Sequence, residues 1–135
     1  MKLLGINFTN VSAKRNIKLE KIEKISTNIE FTNIEKDNIE IMKDSKILKI
    51  SFKFSIEYET KQAELTFEGI LLLSTTEDIL DKTIKDWKKK KMNDELKVPV
   101  FNIILNKCSL KALQMEEDLG LPLHISLPKI QKPAK

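Results

Sequence analysis

The clearest pattern in the chain is a strict alternation of apolar and polar residues between positions 48 and 58. The odd positions from 49 to 57 carry lysine, serine or glutamate, and the even positions carry large apolar side chains: Leu48, Ile50, Phe52, Phe54, Ile56 and Tyr58. A period of two is typical of a β-strand that packs one face against a core. The alternation resumes after a polar segment of hairpin length, at positions 63, 65 and 67. The pattern therefore predicts a central β-hairpin over Lys46–Ser74.

Gly69 lies inside the second strand of this hairpin and is followed by four consecutive apolar residues, Ile70–Leu73. An apolar run of this length is typical of a strand covered on both faces. A glycine within a strand marks a bulge or a close approach of another group. We expect one of these two at Gly69.

Shorter alternations precede the hairpin. One has apolar residues at positions 4, 6 and 8, and another has them at Ile29 and Phe31. Ile34 breaks the phase of the second run, as a bulge or a strand end would. Ile39 and Ile41 indicate a short further strand, followed by a turn at 43–45.

After the hairpin the apolar period becomes helical. We predict a first helix over 76–91, capped by Thr75, and a second over 99–119, with Pro99 in its first turn. Apolar residues occupy so much of the second helix that it should contact two surfaces. Gly120 and Pro122 end it. The apolar, proline-bounded segment that follows should lie extended against the domain.

Strands followed by two helices indicate an α+β fold, an antiparallel sheet with the helices on one side. The chain has 135 residues, a length that suits one domain. We expect that domain to span 1–130 and the tail 131–135 to be frayed.

The charge balance is basic, with a formal net charge of +4 and a pI of about 9.1. Such a balance can indicate a nucleic-acid or membrane partner. Here Arg15 is the only arginine, and lysines alternate with glutamates. Because guanidinium groups provide most bidentate contacts to phosphate and guanine, a mixed-charge surface without nucleic-acid binding is favoured. For Lys88–Lys91 we favour a solvated helix end over a site for an anionic partner, for which only Trp87 offers a nearby stacking surface.

No apolar run approaches the length of a membrane span, and the first residues lack a secretory signal. Cys108 is the only cysteine, so no disulfide can form within the chain. We therefore expect a cytoplasmic protein without stable membrane insertion.

Residues for catalysis or metal binding are scarce. His124 is the only histidine, and a structural or exposed role is favoured over that of a general base. Cys108 has apolar neighbours, so a packing role is favoured. One histidine and one cysteine cannot form a Cys/His metal cluster, and three isolated glycines do not form a phosphate-binding loop. We expect no enzymatic activity, no metal and no cofactor.

Large aliphatic side chains are more numerous than one small core requires, which indicates an oligomer interface or an apolar groove. The order of the elements resembles SecB, the homotetrameric export chaperone family that holds unfolded polypeptides. The resemblance implies a four-stranded antiparallel sheet followed by two C-terminal helices. The most specific stretches are 99–108, with the sequence PVFNIILNKC, and 121–128, with the sequence LPLHISLP. The chain also resembles divergent SecB-like proteins outside the bacterial export system.

The resemblance implies an ATP-independent holdase that binds non-native chains in apolar grooves and assembles as a tetramer, a dimer of dimers. The positions it implies for the groove are Ile29, Phe31, Leu121, Leu123, Ile125 and Leu127. Those it implies for the subunit interface are Leu80, Ile84 and Trp87. Each groove position is equally compatible with an ordinary core residue.

The bacterial family is acidic, whereas this chain is basic and ends in Lys132-Pro133-Ala134-Lys135. Coupling to the export motor ATPase is therefore not expected. The alternative function is a non-catalytic interaction module for one specific protein or apolar ligand.

Overall fold

The computed structural model describes residues 2–37 and 46–127. The strands are β1 (Lys2–Arg15), β2 (Ile25–Asp37), β3 (Lys46–Tyr58) and β4 (Ala63–Thr75), and the helices are α1 (Glu77–Lys88) and α2 (Asp94–Leu119). A single 3₁₀ turn, Glu59–Lys61, joins β3 to β4. The predicted α+β class with four antiparallel strands and two C-terminal helices is confirmed. The strand suggested at Ile39 and Ile41, the turn at 43–45 and the frayed tail 131–135 lie outside the described residues.

The sheet has the strand order β1-β4-β3-β2, and all neighbouring strands are antiparallel. Strands β2, β3 and β4 follow one another, and β1 lies beside β4, which is a Greek-key arrangement. The connection 16–24 must therefore cross the end of the sheet. It is fixed there because the amide of Glu20 donates to Oε1 of Gln62 at 2.7 Å and the amide of Glu23 donates to Oε2 of Glu59 at 2.8 Å.

The predicted hairpin is observed as β3 and β4, with Leu48 opposite Leu73 and Phe54 opposite Phe67. This register places the even residues of β3 and the odd residues of β4 on one face. All six even residues from 48 to 58 are at most 1% exposed. That face carries the core, and α1 and α2 pack against it.

Phase breaks in the sequence correspond to bulges in the edge strands. In β2 the register shifts between Phe31 and Asn33, which places Ile34 on the core face, where it is 4% exposed. The phase break predicted at Ile34 is confirmed as a bulge. In β1 the shifts lie between Leu3 and Gly5 and between residues 8 and 10. The alternation seen at residues 4 to 8 is therefore only part of a longer, irregular strand.

Gly69 is a site of close approach. A Cβ atom there would lie 2.5 Å from Cζ of Phe52 and 2.5 Å from the carbonyl oxygen of Asn7. The pairing of β3 with β4 continues through Gly69 without a shift. The absent side chain thus makes room for the Phe52 ring in the core.

Helix α1 begins one residue later than predicted. Thr76 is its N-cap, and the hydroxyl oxygen of Thr76 accepts from the amide of Ile79. The predicted cap at Thr75 is wrong, because the ladder with β3 extends to Thr75 and holds it in β4. The helix ends at Lys88, and Lys90 has a φ of 59°, so the predicted continuation to residue 91 is also wrong.

Helix α2 begins at Asp94, five residues before the predicted start at Pro99. Asn93 caps it, because Oδ1 of Asn93 accepts from the amide of Glu95 at 3.0 Å. The cap and the two acidic residues of the first turn favour a helix start here. Pro99 therefore lies inside the helix, where it lacks the amide hydrogen that would bond to the carbonyl of Glu95. The prediction of Pro99 in the first turn is wrong.

Buried residues of α2 recur every fourth position: Leu96, Val100, Ile104, Cys108, Ala112 and Glu116. Since four residues exceed one turn of 3.6, this stripe winds around the helix. Phe101 stacks on Phe31 of β2, with the ring centroids 4.8 Å apart, and Nζ of Lys107 lies 5.6 Å from the ring of Phe8 in β1. The helix thus contacts both edges of the sheet.

The end of α2 is fixed by a side chain from β1. Gly120 ends the helix with a φ of 65°, and no basic residue lies in the last turn of α2. Nη1 of Arg15 donates to the carbonyl oxygen of Leu119 at 2.7 Å, while Nη2 donates to the carbonyl oxygen of Ile17 at 2.9 Å. The only arginine of the chain therefore serves as a cation at a helix C-terminus, where it opposes the helix dipole.

We predict that Gly69→Ala destabilises the fold by about 1–3 kcal/mol, because the added methyl group overpacks the core. Gly5→Ala is the matched control, since a Cβ at Gly5 meets nothing within 4 Å. Urea unfolding followed by circular dichroism measures both. Equal midpoints for the two variants would contradict the close packing at Gly69.

Candidate functional site

The β2 part of the predicted groove lies on the core face of the sheet, at its edge. Ile29 and Phe31 are half-buried and pack against the core. The ring of Phe31 is nearly parallel to that of Phe101, with an interplanar angle of 22°. Nζ of Lys97 lies 5.4 Å from the centroid of Phe101. These two groove residues therefore border the first half of α2.

The segment Leu121–Leu127, called the tail segment below, divides into a buried start and an exposed remainder. Leu121 is 7% exposed and belongs to the core. Leu123, Ile125 and Leu127 are 37%, 43% and 50% exposed. Three of the four predicted tail positions are thus available on the surface.

A cleft lies between the tail segment and the last turns of α2. It is lined by Leu123 and Leu127 from the tail and by Leu113, Gln114 and Glu117 from the helix, and has a volume of about 440 Å³. Three of these five side chains are aliphatic, so the cleft is mainly apolar. It is suited to apolar groups of a partner.

A buried carboxylate lies beneath this surface. Glu116 is fully buried, and its Oε2 accepts hydrogen bonds from the Tyr58 hydroxyl and from the backbone amide of His124, the latter at 2.9 Å. Its Oε1 lies 2.7 Å from Nδ1 of His124. The Tyr58 hydroxyl also lies 2.8 Å from the carbonyl oxygen of Pro122. We call Tyr58, Glu116 and His124 the buried network.

The buried network fixes the tail segment to the domain. A buried carboxylate is costly unless hydrogen bonds surround it. Two of the three donors to Glu116 belong to His124 of the tail segment, so Glu116 is satisfied only when that segment is docked. Burial, followed by the hydrogen bond and charge of Glu116, raises the pKa of Tyr58 far above its ordinary value, so this hydroxyl stays protonated and able to donate.

The network also joins the two parts of the predicted groove. The His124 ring meets Phe54 edge-on, with the centroids 6.4 Å apart. Phe54 of β3 is the cross-strand partner of Ile29 in β2. The tail segment therefore packs on the strand next to Ile29. Ile29 and His124 thus both lie beside Phe54, whereas Phe31 lies further along β2, beside Phe101.

Ser109, His124 and Glu116 have the connectivity of an acyl-transfer triad. Oγ of Ser109 lies 3.3 Å from Nε2 of His124, whose Nδ1 faces Glu116. The side chain of His124 is, however, only 2% exposed. A general base must reach the substrate, and this imidazole is covered. Its position suits an anchor for the tail segment.

The α1 residues predicted for a subunit interface differ in exposure. Leu80 is 1% exposed and is covered within the single chain. Ile84 and Trp87 are half-buried and pack against the core. On the same helix Ile79 is 40% exposed. Ile84 and Trp87 thus retain some surface for a contact between copies, and Leu80 retains almost none.

The sequence reading missed Glu116. Glu116 is one of 20 acidic residues in the chain, and composition does not distinguish it from the others. A usable signal was its position, because it continues the four-residue spacing of Ile104, Cys108 and Ala112. A carboxylate on a buried stripe requires donors, and the only histidine lies eight residues further on.

Within residues 2–37 and 46–127, no group of three or more histidine, cysteine, aspartate or glutamate side chains is placed to hold a metal ion. Over the same residues, no helix is both long and apolar enough to cross a membrane.

Among known proteins, the chain is similar in structure to solved structures, with low sequence identity. No protein-family model matches the chain, and no curated protein matches it. Among solved structures, the chain is similar to the SecB-like chaperone Rv1957 of Mycobacterium tuberculosis, in complex with a ChAD peptide from the Rv1956 HigA1 antitoxin. The sequences are 16% identical, the match covers 98% of this chain and 92% of that chain, and the TM-score is 0.45.

We predict that Glu116→Gln releases the tail segment, because an amide replaces one acceptor oxygen with a donor and leaves a buried group unsatisfied, at a cost of about 1–3 kcal/mol. Hydrogen exchange of the Leu121 and His124 amides, which donate to the backbone carbonyl and the carboxylate of Glu116 respectively, should become faster, most of all at His124. The matched control is Glu117→Gln, at an exposed neighbouring residue. Unchanged exchange in Glu116→Gln would show that the network does not hold the tail segment.

The thiol of Cys108 provides a second prediction. It is fully buried, and burial raises its pKa to about 12, with the charge of Lys107 lowering it in part. Because the thiolate is the reactive form, Cys108 should resist a maleimide reagent in the native state at pH 7 and react at once in urea. Rapid labelling of the native protein would contradict its place in the core.

Proposed function

We propose that the protein is an ATP-independent holdase that binds non-native polypeptides on the apolar surface formed by the tail segment and its neighbours. The observation that carries this proposal is the exposure of Leu123, Ile125 and Leu127 on a segment anchored by buried hydrogen bonds. Large apolar side chains presented to solvent in this way are typical of a binding surface.

The energetics indicate that the tail segment acts together with other surfaces. Complete burial of such a side chain is worth about 1.5–3 kcal/mol, so three half-covered ones contribute about 3 kcal/mol in total. A micromolar dissociation constant requires about 8 kcal/mol. We therefore include Ile29 and Phe31 of β2 in the binding surface, since they are also only half-buried and Ile29 pairs with Phe54, the strand residue that the His124 ring contacts.

Assembly is the second source of binding surface in this proposal. A homo-oligomer, as a tetramer built from two dimers, would place several such surfaces within reach of one client chain and raise the affinity through multivalency. Ile84 and Trp87 of α1 are its proposed contacts. The proposal includes a cytoplasmic location and no catalytic step.

We predict that the wild-type protein suppresses aggregation of a chemically unfolded model protein without ATP, at near-stoichiometric ratios. The double variant Leu123→Asp/Leu127→Asp should lose at least about half of this suppression, because charges in the cleft oppose burial of apolar client groups. Light scattering of the diluted client measures the effect.

Ile79→Asp is the matched control, because Ile79 is about as exposed as Leu123 but lies on α1. Both proteins must retain the wild-type circular dichroism spectrum. Full suppression by the double variant would remove the tail segment from the binding surface, and no suppression by the wild type would overturn the holdase proposal.

The second candidate is a non-catalytic module that binds one protein or one apolar ligand. The observation that favours it is the cleft of about 440 Å³ beside Leu113, Leu123 and Leu127, a volume that suits a small apolar group. A panel of unrelated unfolded clients separates the two candidates. The holdase should bind most of them with similar affinity, and the dedicated module should bind none.

A further inference from the structure

The outer edge of β2 is open. In the strand order β1-β4-β3-β2, β2 pairs on one side only, with β3. Among residues 2–37 and 46–127, the backbone of β2 between residues 26 and 36 has no hydrogen-bond partner outside that ladder. Unpaired amides and carbonyls along a strand are a template for a further strand. We propose that an extended client segment pairs with this edge along residues 25–31, as a fifth strand of the sheet.

This inference rests on the proposed function and deepens it, because it states how the client main chain is held. Apolar contacts alone depend on the side chains of the client. Main-chain hydrogen bonds to a sheet edge are available from any extended polypeptide without proline. A holdase that accepts many sequences requires binding of this kind.

The two edge strands differ in how well they suit pairing. β1 has two register shifts, after Leu3 and after Phe8. Bulges of this kind interrupt an edge and protect it from pairing. β2 has one shift, after Phe31, which leaves the seven residues Ile25–Phe31 in continuous register. The longest regular part of β1 is Asn10–Arg15, one residue shorter than this run.

The side chains of the 25–31 run indicate the client chemistry. On the core face, Ile25, Ile29 and Phe31 are half-buried, and the exposed Thr27 lies between the first two. The Phe101 ring of α2 stacks on Phe31 and adds to the apolar surface there. An incoming strand would place every second side chain beside these residues. Apolar residues at those alternate positions are therefore favoured.

On the opposite face the run presents polar side chains, those of Ser26, Asn28 and Glu30, all exposed. The ladder already opposes Glu30 with Lys53 of β3 on that face. A basic residue of the client, placed beside Glu30 on its open side, would complete a row of alternating charge. The occupant to which the proposal commits is thus an extended segment that alternates apolar residues with polar or basic ones.

The test uses backbone N-methylation, because it removes hydrogen-bond donors and keeps the side chains. The probe is a fluorescein-labelled ten-residue peptide that alternates valine with threonine and lysine. Two versions carry N-methyl groups at alternate positions, one on the odd residues and one on the even residues. In an extended strand, successive amides point to opposite sides, so only one version places its methyl groups against β2.

We expect the unmodified peptide and one methylated version to bind with affinities within about twofold, and the other version to bind at least about tenfold more weakly, as measured by fluorescence anisotropy. Equal affinity of both methylated versions, or an equal loss in both, would overturn edge pairing. The holdase proposal would survive that result if the unmodified peptide still binds and aggregation is still suppressed.

Two further outcomes address other occupants. If no peptide binds and aggregation is not suppressed, both the holdase proposal and the edge pairing fail. Light scattering can show whether the protein forms a dimer that dissociates on dilution. If it does, if the peptide binds only to the dissociated form, and if both methylated versions bind equally, the edge pairs with a second copy of the chain. That result also overturns client pairing.

Discussion

The carboxylate of Glu116 is the group on which the arrangement of the site depends. It lies on the buried stripe of α2, and its oxygens are satisfied by Tyr58 from β3 and His124 from the tail segment. A carboxylate left without these donors inside the protein would be strongly destabilising. A single side chain therefore connects the helix, the sheet and the tail segment.

This constraint explains why apolar residues remain on the surface. A segment that carries Leu123, Ile125 and Leu127 would ordinarily bury them against the domain. The hydrogen bonds at His124 fix the backbone so that the imidazole points inward, between Phe54 and Ser109, while these three aliphatic residues keep a third or more of their surface exposed. The buried hydrogen bonds thus keep these apolar side chains on the surface. Because the surface has a fixed shape, it loses less entropy on binding than a flexible one.

The sequence predicted those elements that show a single, regular spacing of apolar residues. The alternation from Leu48 to Tyr58 defined β3, and the phase break at Ile34 marked a real bulge. The predicted start of α2 was wrong because Pro99 is a strong local signal for a helix start. The true start depends on the cap at Asn93 and on the burial of Leu96, which is a tertiary contact. Glu116 was missed for a similar reason, since its donors lie 58 residues before it and 8 residues after it in the chain. The resemblance supplied the positions of the predicted groove. Only the structure shows that Leu121 is buried and Leu123 is exposed.

The central claim is that clients bind to the tail segment and to β2. Hydrogen exchange of the protein with and without a saturating unfolded client tests it most directly, because it monitors the backbone amides of all strands and of the tail segment at once. The account predicts added protection at residues 25–31 and 121–127, and little change on the amides of β4, which are already paired on both sides. Protection that leaves both segments unchanged while it appears elsewhere in the chain would contradict the account.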